Sequence, residues 1–467
     1  MDVMEQRFLR ILQEQNLVAS GDRVLIALSG GPDSVALLHL FHVIAPELQL
    51  RLAAAHLDHG MRPESGADAA FAGELCARLG IPVTVGRVEV PLRAAELGTG
   101  LEETARAARR AFLQRTAEEH GGAIIALGHH RGDQAETVLH RFLRGSGMSG
   151  LAAMRGQNGP FIRPLLELTR RDLLGYLRRR GEPFRHDASN DDCTFTRNRI
   201  RHQLLPQLTR YNPRLEEHLA AFAARAADEE DFWRQEEEKA LASLARPAAD
   251  GLELALPALL ALHPALRRRV LRRALGQVRE SLAGIASVHI ATLEALLVSP
   301  QPQGELNLPG CFAARRYARL LLRTASPAEA PEWSVTIPGL GTYATPAGEF
   351  EVTVIATSAG EGPLAAEFAA DSVTFPLTIR TFRPGDRFHP RGAVGGKKLK
   401  DFFIDQRIER EIRSAIPLVV GREVLWLAGW RRCAGHTCGG DSGQVLRMSF
   451  RPAPEADKWL VHLPSLC

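Results

Sequence analysis

The chain has 467 residues, 45% of them hydrophobic, with 58 Lys and Arg against 54 Asp and Glu and a formal net charge of +4. That length predicts two to four domains, no apolar run approaches the roughly 18 residues needed to span a bilayer, and the charged start MDVMEQRFLR reads as an amphipathic helix rather than a secretory leader. Six cysteines, at 76, 193, 311, 433, 438 and 467, form no C-x-x-C pair or disulfide framework, which suits a reducing cytoplasm, and so small a charge points to a polyanion only where it is clustered.

From Arg23 to about Gly145, short apolar runs alternate with amphipathic stretches. VLIAL (24–28) precedes a helix expected over 33–44, and LRLAAAH (50–56) precedes one over 65–79. IPVTVGRVEV (81–90) precedes one over 101–120, and AIIALGHH (123–130) one over 133–145. Such repetition predicts an α/β domain, a doubly wound parallel sheet whose ligands bind beyond the strands' carboxyl ends. A short helix with Thr169 as its N-cap is expected in 164–181. Residues 213–325, rich in Ala, Leu, Glu and Arg, read as a helical domain. After a linker at 324–333, strand-like runs predict a small β-containing domain. The expected divisions are thus 1–212, 213–325 and 334–455.

Three expected strand ends carry polar clusters: SGGPDS (29–34), HLDHGMR (56–62) and GHHRGDQAET (128–137). SGGPDS is neither a Walker A loop nor a dinucleotide fingerprint. Gly30 and Gly31 let a phosphate approach the backbone, and the following helix offers free N–H groups. Pro32 suits the first helical turn, while Ser29 and Ser34 can add hydroxyl donors. Asp33 would repel phosphate unless Mg²⁺ lay between them. With no lysine to hold a γ-phosphate, the loop fits gripping pyrophosphate while the α-phosphate is attacked. In the third cluster, Asp133 and Glu136 share a helix face. That pair could hold Mg²⁺, attract an ammonium group or accept a proton, or simply favour the helix dipole.

SGGPDS resembles the PP-loop of the N-type ATP pyrophosphatases. HLDHGMR, GHHRGDQAET, the arginines of EETARAARRAF (102–112), RPLLELTRRDLLGYL and RNRIR further resemble the tRNA(Ile)-lysidine synthetase branch. FRPGDRFHPRG, GGKKLKDFFID and WLAGWR (382–431) are similar to its terminal domain, a family-like region of about 376–450. The resemblance implies ATP-dependent ligation of free L-lysine to C2 of cytidine 34 in the CAU anticodon of tRNA(Ile), through an adenylated cytidine, giving AMP and pyrophosphate. It implies catalytic roles for Asp33, Asp133, Glu136, Arg106 and Arg109, and an ATP pocket of Ser29 to Ser34 with His56, Arg62 and His129. Asp33 and Asp133 would hold Mg²⁺. Contacts to tRNA are expected from Arg197, Arg199, Arg201, Arg383, Arg387, Lys397, Lys398 and Lys400. A homodimer is possible, and no membrane partner is implied.

The chain departs from the family pattern at Gly132, where an acid is usual, and at Arg110, where an aromatic is common. Two other readings stand beside the first. A PP-loop tRNA thiolase would need paired catalytic cysteines or an iron–sulfur cluster. A non-catalytic, adenine-nucleotide-dependent RNA-binding protein would gain little from carboxylates beside triphosphate.

Overall fold

A computed structural model describes residues 1–60, 65–185, 194, 196–327, 331–392, 395–436 and 444–454. Arg62 and most of 186–195 lie outside the described residues. The chain divides into two compact units, 1–234 and 235–467.

The first unit is built on a six-stranded sheet in the order β3-β2-β1-β4-β6-β5. Its strands are β1 (Arg23–Ala27), β2 (Arg51–Asp58), β3 (Val83–Arg87), β4 (Ile124–Ala126), β5 (Gln157–Asn158) and β6 (Phe161–Ile162). All neighbours are parallel except β5 and β6. Period-two alternation assigns the faces. Val24, Ile26, Ala54, Ala126 and Ile162 share one core with α1 (Val3–Glu14), α2 (Pro32–Leu48), α3 (Ser65–Leu79) and later α8 (Arg170–Arg180). Leu25, Ala53, Ala55, Ile125 and Phe161 share the other with Phe112, Leu113 and Ala117. Those last residues belong to α5 (Leu101–Glu119), which follows α4 (Val90–Leu97). The doubly wound sheet is as expected, and Thr169 caps α8 by accepting from the Asp172 N–H at 3.1 Å. Because β1 lies between β2 and β4, the chain reverses its winding direction there. The loops after β1 and β4 therefore flank one crevice.

The helix α6 (Arg131–Leu143) follows β4, and α7 (Met148–Leu151) follows it. Beyond α8, one irregular helical run comprises α9 (Thr196–Arg199), a π-helical turn at Ile200–Leu204 and α10 (Leu205–Tyr211). Ile200 and Leu205 pack on Ala135 of α6, which seats the RNRIR segment against that helix.

Residues 213–325 differ from the helical expectation. They contain α11 (Leu215–Leu244), α12 (Leu256–Ala261), α13 (Pro264–Arg279) and α14 (Ser287–Val298), but also a five-stranded antiparallel sheet. Its strands include CFAARR (Cys311–Arg316) and RLLLR (Arg319–Arg323), paired in a hairpin. Their Ala, Leu and Arg content mimics a helix, and pairing with each other and with the strands at Gln303–Leu308 and Gly251–Ala255 overrides it. The arginine-rich face of α13 is largely neutralised internally: Arg267 and Arg268 bind Glu294, Arg269 binds Glu237 and Arg273 binds Glu238.

The C-terminal β-structure has the expected strands at Ser334–Ile337, Gly348–Ile355, Leu377–Arg380 and Val424–Leu427. Phe350, Phe368, Phe402, Phe403 and Trp426 fill its core. Residues 213–325 supply Arg316, only 1% exposed, which donates to Glu305 of its own sheet and to Glu411 beyond the linker. Burial would raise the Glu411 carboxyl, yet Arg316 holds it below the ordinary range. Arg316→Ala would leave two carboxylates facing each other. A loss of about 3–5 kcal/mol is expected, a fall on the order of 10 °C in the midpoint of this unit by calorimetry. An unchanged midpoint would mean that the ion cluster does not hold the two parts together.

Candidate active site

The loop between β1 and α2 folds on itself. Gly30 takes the left-handed conformation (φ +86°), which favours glycine. Its carbonyl accepts from the Arg185 N–H at 2.9 Å. The Ser29 N–H donates to Ser34 Oγ at 3.2 Å, and Ser34 Oγ donates to the Gly31 carbonyl at 2.9 Å. The two serine hydroxyls, expected as phosphate donors, thus brace the loop against each other at 3.1 Å. Gly31 and Pro32 begin α2, leaving the helix's first N–H groups directed at the crevice. His56 is buried with Nδ1 2.9 Å from the Leu28 carbonyl. It supports the strand end from which the loop departs.

Gly128 follows β4 beneath this loop. A Cβ there would lie 3.2 Å from the Asp33 carbonyl carbon and the Ser34 nitrogen, so the two loops approach at backbone distance. His130 then joins them. Its Nδ1 accepts from the N–H of Gly132 at 3.0 Å and, more weakly, of Asp133 at 3.4 Å, capping α6. With Nδ1 an acceptor, the neutral ring carries its proton on Nε2. That nitrogen lies 3.7 Å from Asp33 Oδ2 and 3.6 Å from Asp133 Oδ2. The ring's position depends on Gly132, where a Cβ would come within 2.8 Å of it. The departure from the family pattern therefore makes room for the imidazole.

Asp133 and Glu136 are buried and clamped. Arg201 donates to Asp133 Oδ1 at 2.8 Å and to Glu136 Oε2 at 3.0 Å, and Arg197 reaches each carboxylate at 3.1 Å. Arg197 and Arg201, expected on the tRNA backbone, have their guanidinium groups in this cluster instead. They are four residues apart and project from one side of the helical run. Arg199 is exposed, bonded to Thr196 Oγ1.

The electrostatics separate the acids. Burial would raise Asp133, but His130, Arg197 and His129 pull it down to about 2. Asp33 is shifted upward by burial and by Asp133, against the pull of His130. Its Oδ1 is buried and has no hydrogen-bond partner among the described residues. Burial, with Arg109, Arg163 and Arg197 near, pushes His129 down to about 3 despite Asp133, so it is neutral at pH 7. Arg109 is accessible but crowded by protein, and that desolvation, then Arg106 and Arg197, lowers its pKa. Arg106 and Arg109 on α5 thus face the same crevice as α6. The Arg110 guanidinium covers the Phe161 ring at 4.8 Å, filling the place of the usual aromatic.

Sequence reasoning missed Arg163. It follows β6 on the same sheet edge, and its Nε has no partner among the described residues. A lone arginine after a two-residue strand carries no motif. His130 stood in the sequence cluster, but nothing in the spacing assigned it to both acids.

No three His, Cys, Asp or Glu side chains among the described residues form a metal-binding group. The unpartnered Asp33 oxygen nonetheless fits Mg²⁺, which takes one or two carboxylates with phosphate oxygens. Asp133 fits less well, because both its oxygens are occupied.

Of the five terminal-domain cations expected on tRNA, Arg383, Arg387, Lys398 and Lys400 are exposed. Lys397 is half-buried and pairs with Asp405 at 2.5 Å. Arg387 and Lys398 oppose each other across a two-stranded ribbon.

Arg201→Ala should cost the first unit about 3 kcal/mol in chemical denaturation. Arg201→Lys should recover only part, since one ammonium cannot span two carboxylates. Because Asp133 is depressed, its contribution is complete above about pH 4 and lost as pH falls through its folded value. The gap between wild type and Arg201→Ala should therefore be flat from pH 8 to 5 and narrow below about 4. A gap that widens on acidification would contradict this account.

A family profile described as PP-loop domain matches residues 1–208. Profiles described as TilS substrate binding domain and TilS substrate C-terminal domain match 254–321 and 377–448. The chain is 38% identical to the tRNA(Ile)-lysidine synthase of Geobacter sulfurreducens, covering 94% of this chain and 95% of that one. It is also 38% identical to that of Symbiobacterium thermophilum, covering 94% and 96%. Among solved structures, a U34-tRNA thiolase from Methanococcus maripaludis is 18% identical with a TM-score of 0.42, covering 47% of this chain and 77% of that one. With 38% identity maintained over nearly the full length of both chains, the protein belongs to the tRNA(Ile)-lysidine synthase family.

Proposed function

We propose that this protein uses ATP to join free L-lysine to C2 of cytidine 34 in the CAU-anticodon tRNA(Ile), releasing AMP and pyrophosphate. The observation that carries the reading is the junction at His130, where a lysine-free phosphate loop meets a buried acidic pair. In the first step the cytidine O2 attacks the α-phosphorus and the bond to pyrophosphate breaks. The loop's N–H groups favour the departing pyrophosphate. Mg²⁺, held by Asp33 and phosphate oxygens, would offset charge there. Arg106, Arg109 and the newly recognised Arg163 suit phosphate oxygens of ATP or of the RNA.

In the second step the neutral lysine amine attacks C2 and AMP leaves. Asp133 and Glu136 suit the ammonium of incoming lysine and the proton its attack releases. For them the arginine pairs supply a dry, oriented setting that an ammonium can enter by displacing a guanidinium. On this reading Arg197 and Arg201 organise the lysine site rather than bind tRNA. The tRNA backbone falls to the terminal domain, where the opposed Arg387 and Lys398 repel each other until a phosphate lies between them.

The sulfur-transfer alternative draws less support. The described cysteines, Cys76, Cys311 and Cys433, are all buried, and burial pushes Cys76 and Cys433 up to about 11. Such thiols are inert at neutral pH. In the membrane direction, no helix among the described residues is long and apolar enough to cross a bilayer.

Purified protein with ATP, Mg²⁺, radiolabelled lysine and the CAU-anticodon tRNA(Ile) should release pyrophosphate and label the tRNA in equal amounts. Sulfur incorporation without label would establish the thiolase, and ATP binding without cleavage would establish the binding protein. Asp33→Asn should slow pyrophosphate release by roughly 10²-fold or more while tRNA affinity in a filter-binding titration stays within about twofold. Parallel loss of both would refute the separation of nucleotide chemistry from tRNA capture.

A further inference from the structure

The carboxyl end of α6 and the start of α7 leave three large apolar side chains in solvent: Phe142 at 66%, Leu143 at 61% and Met148 at 49% exposure. Asp133, Glu136, His140 and Leu143 are spaced three, four and three apart, so they descend one face of the helix. At 1.5 Å per residue, Leu143 lies about 10 Å along the axis from Glu136. The stripe therefore runs from the acidic pair to an apolar lip. His140 feels Arg144, Arg197 and Arg141, and across the crevice Glu102 of α5. Arg144 is exposed. Arg141 is not available as a contact, because it donates to the carbonyls of Gly150 at 2.6 Å and Ala153 at 3.2 Å. Those bonds tie the turn bearing Met148 to the end of α6.

Apolar side chains exposed beside an arginine suit an RNA single strand, whose unstacked bases need an apolar surface and whose phosphates need cations. A cytidine reaching Asp133 and Glu136 must leave its own stack, and its neighbours lose stacking partners when it does. We infer that Phe142 and Leu143, with Arg144 beside them, form a stacking platform for a nucleotide adjacent to the modified cytidine. This rests on the functional reading above and adds the place where the flanking RNA lies.

The test is a double-mutant cycle between protein and tRNA. The full-length Phe142→Ala/Leu143→Ala variant and the wild type are titrated with CAU-anticodon tRNA(Ile). Both are then titrated with the same tRNA made abasic on the 5′ or the 3′ side of the cytidine. The variant should bind intact tRNA roughly tenfold more weakly, with an unchanged thermal midpoint. On one of the abasic tRNAs, variant and wild type should bind alike. Equal weakening on all three tRNAs, or no weakening, overturns the platform. So does unaltered tRNA affinity with a sedimentation shift to a smaller species, which would make the lip a contact between two copies. The labelled-lysine assay on wild type separates the failures: label transfer without coupling in the cycle removes the platform alone, whereas absence of label removes the functional reading.

Discussion

The site depends on one imidazole held between two carboxylates. His130 accepts at Nδ1 from the backbone of its own helix, and its Nε2 faces both acids. Asp33 comes from the loop after β1 and Asp133 from the helix after β4. The ring therefore joins two chain segments a hundred residues apart. Two glycines allow it: Gly128 lets the loop backbones touch, and Gly132 leaves space for the ring.

Around that link the charges are sorted by depth. Asp133 and Glu136 lie beneath Arg197 and Arg201, which pair with both acids in a buried setting. Asp33, without such partners, carries an upward shift and an orphaned oxygen. Two aspartates separated by one side chain thus differ sharply in character. The π-helical turn at Ile200–Leu204 lies at the arginine clamp, a distortion common where a helix must aim side chains at a site.

Ion pairing also limits which basic segments can reach outward. The densest arginine run, on α13, is largely held by Glu237, Glu238 and Glu294. The sparser cations of the terminal ribbon, Arg387 and Lys398, oppose each other without a bridging acid in their register. Counting positive residues alone does not show which segments keep unbalanced charge. Anion binding follows the charges that folding leaves unbalanced.

The sequence alone was enough for the parallel sheet, because apolar runs of strand length alternating with helices admit little else. The helices near residues 33, 65, 101 and 133 lie close to their expected bounds, and Thr169 caps where its hydroxyl and Asp172 required. SGGPDS was legible as a phosphate loop, since a backbone cradle followed by a helix is a local property. Whatever depended on partners remote in the chain was not legible. The hairpin of CFAARR and RLLLR needs its flanking partners, one of them the remote strand Gly251–Ala255, before its helix-like composition is overruled. The basic RNRIR could not reveal that two of its arginines face inward, because that follows from Ile200 and Leu205 docking on Ala135. Local pattern determines which element forms and which residues can do chemistry; only packing decides which of them meet, because a charge's role is set by the neighbours and the desolvation that tertiary contact imposes.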